Sequence, residues 1–161
     1  MVLLWERLAG NNAHEAGRKL LSTLYRQETG ETLPEIRLTK QGKPCFSDSG
    51  WHFSISHTKN HVFCALSQRN LGIDAEELSR NIDLRLAEKI LSPTEKARCD
   101  AAPDKQAALL RFWVLKEAYA KLLGTGWGNY LHSTAFDPFD PRIQIIDGCY
   151  VAILEEEHHA F

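Results

Sequence analysis

The sequence has no C-x-x-C pair, no glycine-rich phosphate loop and no apolar run that could cross a bilayer. Each absence removes a class of protein. A zinc site needs clustered thiolates or imidazoles at short spacing, whereas Cys45, Cys64, Cys99 and Cys149 are scattered. Three of them lie in apolar or strand-like contexts, which predicts free, mostly buried thiols in a reducing compartment. A membrane span takes about 18 apolar residues or more, and nothing in the chain approaches that. Met1 to Leu4, followed by Trp5-Glu6-Arg7, is too short and too charged for a signal peptide. A cytoplasmic protein without membrane attachment is therefore expected. Charge of one sign is also lacking: the net charge is -2 over 161 residues, which disfavours nucleic acid as the principal ligand. There is no short repeat and no low-complexity tract.

With 43% hydrophobic and 25% charged residues, the chain can bury a real interior as one domain, or as two small lobes. Residues 12–29 read as a helix, with Asn12 as N-cap, Gly30 as the stop, and Ala16, Leu20, Leu21, Leu24 and Tyr25 at helical spacing. An extended segment from Pro34 to Leu38 and a turn over Lys40 to Pro44 follow. Trp51, Phe53 and Ile55 alternate with His52, Ser54 and Ser56, the period of a strand. Strands over His61 to Ser67 and Leu71 to Glu76 come next, and their close spacing predicts an antiparallel meander. A short helix over Leu84, Ala87 and Ile90 precedes Ser92-Pro93-Thr94-Glu95, a capping-box helix start. A long helix runs from about Asp104 to Leu123, stopped by Gly124. Residues 143–146 and 150–154, joined by Asp147-Gly148, form a hairpin. Helix then strands occurs twice, so the prediction is an α+β protein, with 1–77 and 78–161 as two lobes of a single domain.

Asp74 and Glu76 close the third strand two residues apart, so both carboxylates share a face opposite Ile73 and Ala75. On the long helix, an increment of about 100° per residue sets Leu110, Val114, Glu117 and Lys121 on one stripe, beside Trp113. A carboxylate on an apolar face is costly unless paired or metal-bound. A Glu117–Lys121 surface pair, worth ~0.3–0.5 kcal/mol, would explain the spacing but not the location. Together Asp74, Glu76 and Glu117 could supply hard oxygen ligands for magnesium beside phosphate oxygens, with Lys116 and Lys121 adding positive charge. Ser56 and His57, at a strand end, could donate hydrogen bonds to phosphate.

Gly42-Lys43-Pro44, Phe53-Ser54-Ile55-Ser56-His57-Thr58, Gly72-Ile73-Asp74-Ala75-Glu76, Ser92-Pro93-Thr94-Glu95 and the W-x-x-K-E-A-x-x-K run from Trp113 to Lys121 together resemble a 4'-phosphopantetheinyl transferase of the Sfp-type branch. The motifs span residues 42–121. The resemblance implies two similar α+β lobes, antiparallel strands packed on helices, with the cofactor between them. It also implies transfer of the phosphopantetheine arm of coenzyme A to a serine of an apo acyl or peptidyl carrier protein, releasing adenosine 3',5'-bisphosphate. By motif position, Asp74, Glu76 and Glu117 would bind Mg2+. Ser56 and His57 would meet the coenzyme A phosphates, Lys43 the nucleotide end, and Lys121 the pyrophosphate; Lys116, a further cofactor-binding candidate, lies off the Glu117–Lys121 stripe. Glu95 or Glu117 would accept the serine proton, two readings left open.

Two departures stand out. Ser54 replaces a frequent asparagine, and the chain before the first helix is shorter than in long, two-lobed members. Some adenine or 3'-phosphate contacts are then expected to be missing or supplied differently, with Arg18 and Lys19 as candidates. Residues 80–98 carry a net of +2, a docking surface for an acidic carrier. A monomer is expected. The rival readings are a magnesium-dependent pyrophosphate hydrolase and a non-catalytic module that binds coenzyme A or a carrier.

Overall fold

The computed structural model describes residues 1–10, 12–126, 132 and 134–157. Helix α1 (Ala13–Thr29) begins at Asn12, whose side chain accepts from the Glu15 amide, and ends at Gly30 in the left-handed region. It packs on a three-stranded antiparallel sheet, ordered β1 (Val2–Arg7), β5 (His61–Ser67), β4 (His52–His57). The Met1 to Leu4 run thus begins an edge strand, paired with β5 from Val2↔Leu66 to Arg7↔His61. Strands β2 (Ile36–Leu38) and β3 (Pro44–Phe46) form a separate hairpin.

The expected meander holds for β4 and β5 only. Strand β6 (Leu71–Glu77) leaves the first sheet and pairs antiparallel with β8 (Cys149–Glu155), which pairs with β7 (Ile143–Ile146). Residues 71–77, grouped with the first lobe by a division after residue 77, therefore hydrogen-bond within the second sheet. Alternation within a strand marks its faces but not its partner, and here the partner lies some 80 residues away in sequence. The β7–β8 turn, Asp147-Gly148, has positive φ at both positions (45° and 77°), as a two-residue hairpin requires.

The second sheet carries α4 (Lys105–Leu123), capped by Asp104 and stopped by left-handed Gly124. In sequence, between β6 and α4, come the one-turn α2 (Ala87–Ile90) and α3 (Pro93–Ala101), whose Ser92 and Glu95 form the expected capping box. The layers run helix, sheet, sheet, helix. On β5, Val62, Cys64 and Leu66 face α1, whereas Phe63 and Ala65 meet Ile73, Ala75, Val151 and Ile153 of the second sheet. Every residue of β5 is buried, as a strand covered on both faces must be. Arg7 and His61 of the first sheet both bind Asp147 in the β7–β8 turn (2.6 and 2.9 Å). All four cysteines are free; only Cys45 is not fully buried. Among the described residues no helix is long and apolar enough to cross a membrane.

Candidate functional site

Strands β4 and β6 run side by side without a backbone ladder. Instead Ser54 Oγ accepts from the Ile73 amide and Ser56 Oγ from the Ala75 amide, each at 3.1 Å. On the far side of β6, Gly72 meets α4 directly. A Cβ there would lie 2.0 Å from the Ala118 carbonyl oxygen and 2.4 Å from the Leu122 nitrogen. Only glycine permits that approach, and it sets α4 beside Asp74 and Glu76, which follow on the same face of β6.

A cavity of about 720 Å3 opens on this seam. Asp74, Glu76, Glu117 and Lys121 line it, joined by Ser56 and His57 of β4 and by Trp113. The two elements predicted to supply the carboxylates therefore do converge. Asp74 is 6% exposed. Its Oδ1 accepts from Lys121 Nζ at 2.7 Å and from Ser56 Oγ at 3.0 Å. Burial pushes its pKa up, against the pull of Lys121. Its Oδ2 is buried without a hydrogen-bond partner among the described residues. Glu76 is also pushed up by burial, opposed first by Arg80, which pairs with it. Arg80 in turn lies 5.2 Å over the Trp113 ring.

Among the described residues no three His, Cys, Asp or Glu side chains form a ready-made metal cluster. The donor set nevertheless fits a hard divalent cation. A buried carboxylate oxygen lacks a partner, a second carboxylate follows two residues on, and a third lines the same space from α4.

Other predicted residues stand elsewhere. Glu95 and Lys116 do not line the cavity. They form a buried pair at 2.9 Å, 0% and 2% exposed. Glu95 also accepts from the Ser92 and Phe136 amides, both at 2.8 Å. Its oxygens are committed to the α3 cap and to the chain before β7, so it is not placed to take a proton from a substrate. Lys116 is likewise turned away from any phosphate in the cavity. Lys43 does line the cavity, but its Nζ donates to Asn70 Oδ1, Leu71 O and Leu122 O (2.5, 3.0 and 3.0 Å). It ties the turn before β3 to the last turn of α4. Ser56 lines the cavity with its hydroxyl already engaged by Asp74 and Ala75.

Arg18 lines the cavity, joined by His14 one turn earlier on α1; Lys19 does not. His14 escaped the sequence reading, although its i,i+4 relation to Arg18 would have revealed it. The basic stretch 80–98 is largely neutralised. Arg80 pairs with Glu76, Arg85 with Asp83, Lys96 with Glu88 and Asp100, and Arg98 with Asp137.

The sequence is similar to the 4'-phosphopantetheinyl transferase HetI of Nostoc sp., 35% identical over 69% of this chain and 51% of that protein. The 4'-phosphopantetheinyl transferase gsp of Aneurinibacillus migulanus is 36% identical over 56% and 38% of the two chains. The 4'-phosphopantetheinyl transferase Sfp of Bacillus subtilis is 34% identical over 78% and 54%. The chain spans about half the length of the curated relatives it matches. Residues 70–159, which contain all of β6 and α4, match the family described as the 4'-phosphopantetheinyl transferase superfamily, and the chain belongs to that superfamily.

Proposed function

We propose that this protein transfers the 4'-phosphopantetheine group of coenzyme A to a serine of an apo acyl or peptidyl carrier protein. The reaction is Mg2+-dependent and releases adenosine 3',5'-bisphosphate. The observation that carries the reading is the unpartnered, buried Oδ2 of Asp74, in a cavity shared with Glu76, Glu117 and Lys121. Family membership supplies the reaction class. Asp74, Glu76 and Glu117 would hold the cation, which when bound supplies charge neutralisation at the pyrophosphate.

The chain's own groups account for the remaining steps. The carrier serine oxygen attacks the phosphorus that bears the pantetheine arm, and the bond from that phosphorus to the bridging oxygen breaks. The electron pair leaves with the bisphosphate. Glu117, whose carboxylate lines the cavity while that of Glu95 is held in its buried pair with Lys116, accepts the serine proton. Lys121, half-exposed on the same helix face, meets the charge that develops on the leaving phosphate. His57, His14 and Arg18 line the same cavity and offer donors to the remaining phosphates. Free cysteines suit a cytoplasmic enzyme, and we expect it to act as a monomer.

The test is incubation with coenzyme A, Mg2+ and a panel of apo carrier proteins, read by intact mass. A carrier gaining the mass of phosphopantetheine is the expected result. Cleavage of coenzyme A at the same rate without a carrier would overturn transfer in favour of hydrolysis. Asp74→Asn is expected to lower transfer by a factor of about 100 or more while circular dichroism and cooperative melting persist. Near-wild-type transfer by that variant refutes the metal assignment. Coenzyme A binding without turnover on any carrier would favour a binding module.

A further inference from the structure

We propose that Lys121 and Arg80 are resident counter-charges of the acidic strand end, which a divalent cation displaces, freeing Lys121 for the anionic substrate. The inference rests on reading Asp74 and Glu76 as metal ligands, and it concerns how these residues are held before metal arrives.

Each strand carboxylate has its own cation. Lys121 Nζ sits 2.7 Å from Asp74 Oδ1, and the Arg80 guanidinium pairs with Glu76. Lys121 comes from the last turn of α4 and Arg80 from the turn after β6. An uncompensated buried carboxylate is strongly unfavourable, and these two cations supply the compensation. Their summed charge equals that of one divalent ion, so the two carboxylates are as fully compensated after the exchange as before it.

The exchange is also sterically available. The Lys121 side chain is 33% exposed and that of Arg80 37%. Each is a long, flexible stem that can leave without moving its backbone. Lys116, five residues before Lys121, makes the contrast: it is 2% exposed and held by Glu95, so it cannot leave. The other donor on Asp74 is also fixed, because Ser56 Oγ is anchored by the Ala75 amide. Asp74 Oδ2, without a partner, is open to the incoming ion. Lys121 lines the cavity together with Glu117, so an ammonium released from Asp74 remains within the substrate's space. Metal arrival and presentation of this phosphate-binding ammonium become one coupled event.

This predicts a combination that a merely structural lysine would not give. Lys121→Gln should bind metal more tightly and catalyse less well. The probe is Mn2+, measured by calorimetry and by electron paramagnetic resonance on the full chain without coenzyme A. Asp74→Asn should abolish binding. Lys121→Gln should tighten it roughly 5- to 150-fold, and Arg80→Gln should also tighten it.

If Asp74→Asn abolishes binding but Lys121→Gln binds no better than wild type, the displacement inference falls and the metal reading stands. If wild type and Lys121→Gln both fail to bind Mn2+, or Asp74→Asn binds normally, the metal reading falls and takes the inference with it. A second measurement needs no variant. Acylation of wild-type lysines, read by peptide mass spectrometry, should be slow at Lys121 without Mg2+ and faster at saturating Mg2+, with Lys116 slow throughout. An unchanged Lys121 rate overturns the proposal even if Lys121→Gln fails to fold.

Discussion

Glu95 carries three structural duties at once. It closes the α3 capping box, accepts from the Phe136 amide and neutralises Lys116, all without water contact. The cap was legible because Ser-Pro-x-Glu is a local signature. The rest was not, because the ion pair forms between two helices and α4 is apolar nearly all round. Helical spacing said only that Lys116 lay off the Glu117–Lys121 stripe; it could not name a buried partner on α3. Removing one member of such a pair leaves a buried charge uncompensated. Glu95→Ala is expected to cost about 3–5 kcal/mol, measured by denaturant midpoint. If Mn2+ affinity of the protein that still folds were abolished, Glu95 would belong to the site after all.

At the scale of elements, the helices were readable from their ends. Asn12 and Ser92 cap where expected, the long helix begins at its expected start with Asp104 as the cap, and Gly30 and Gly124 stop where expected. The hairpin at Asp147-Gly148 was equally local. What the pattern withheld was pairing: β6 reads as the third strand of a meander but belongs to a sheet completed by the last strand. Gly72 is the residue through which that distant arrangement leaves a mark in the sequence. A glycine inside a strand signals a close backbone approach, here to α4 at Ala118 and Leu122. Gly72→Ala must push the helix off the strand. We expect a loss of about 3 kcal/mol or more by chemical denaturation. Mn2+ affinity should also weaken, because Glu117 moves away from Asp74. Unchanged stability would mean that α4 can shift freely.

Across the whole molecule, side chains from the first half reach into the second. Lys43 binds the entry to β6 and the end of α4, and burial pushes its pKa down to about 8 from 10.5. Between those two values the unfolded chain holds a proton that the folded chain has released. Stability therefore rises with pH across that window from this group, with no change from it below. Denaturant midpoints measured from about pH 7 to about pH 11 should show the rise in wild type and lose it in Lys43→Met. Parallel profiles would place the lysine in water.

The serine hydroxyls between β4 and β6 have a further consequence. A strand at the border of a sheet is a template on which a foreign chain can grow. Ser54 and Ser56 occupy the donors of Ile73 and Ala75, so the stretch of β6 bearing the carboxylates offers no such template while the first sheet is in place. Detaching that sheet, by truncation or partial opening, bares an adhesive edge beside an apolar face. Solubility is then a property of the intact pair of sheets, and a fragment carrying only residues 70–157 is expected to self-associate where the full chain stays dispersed.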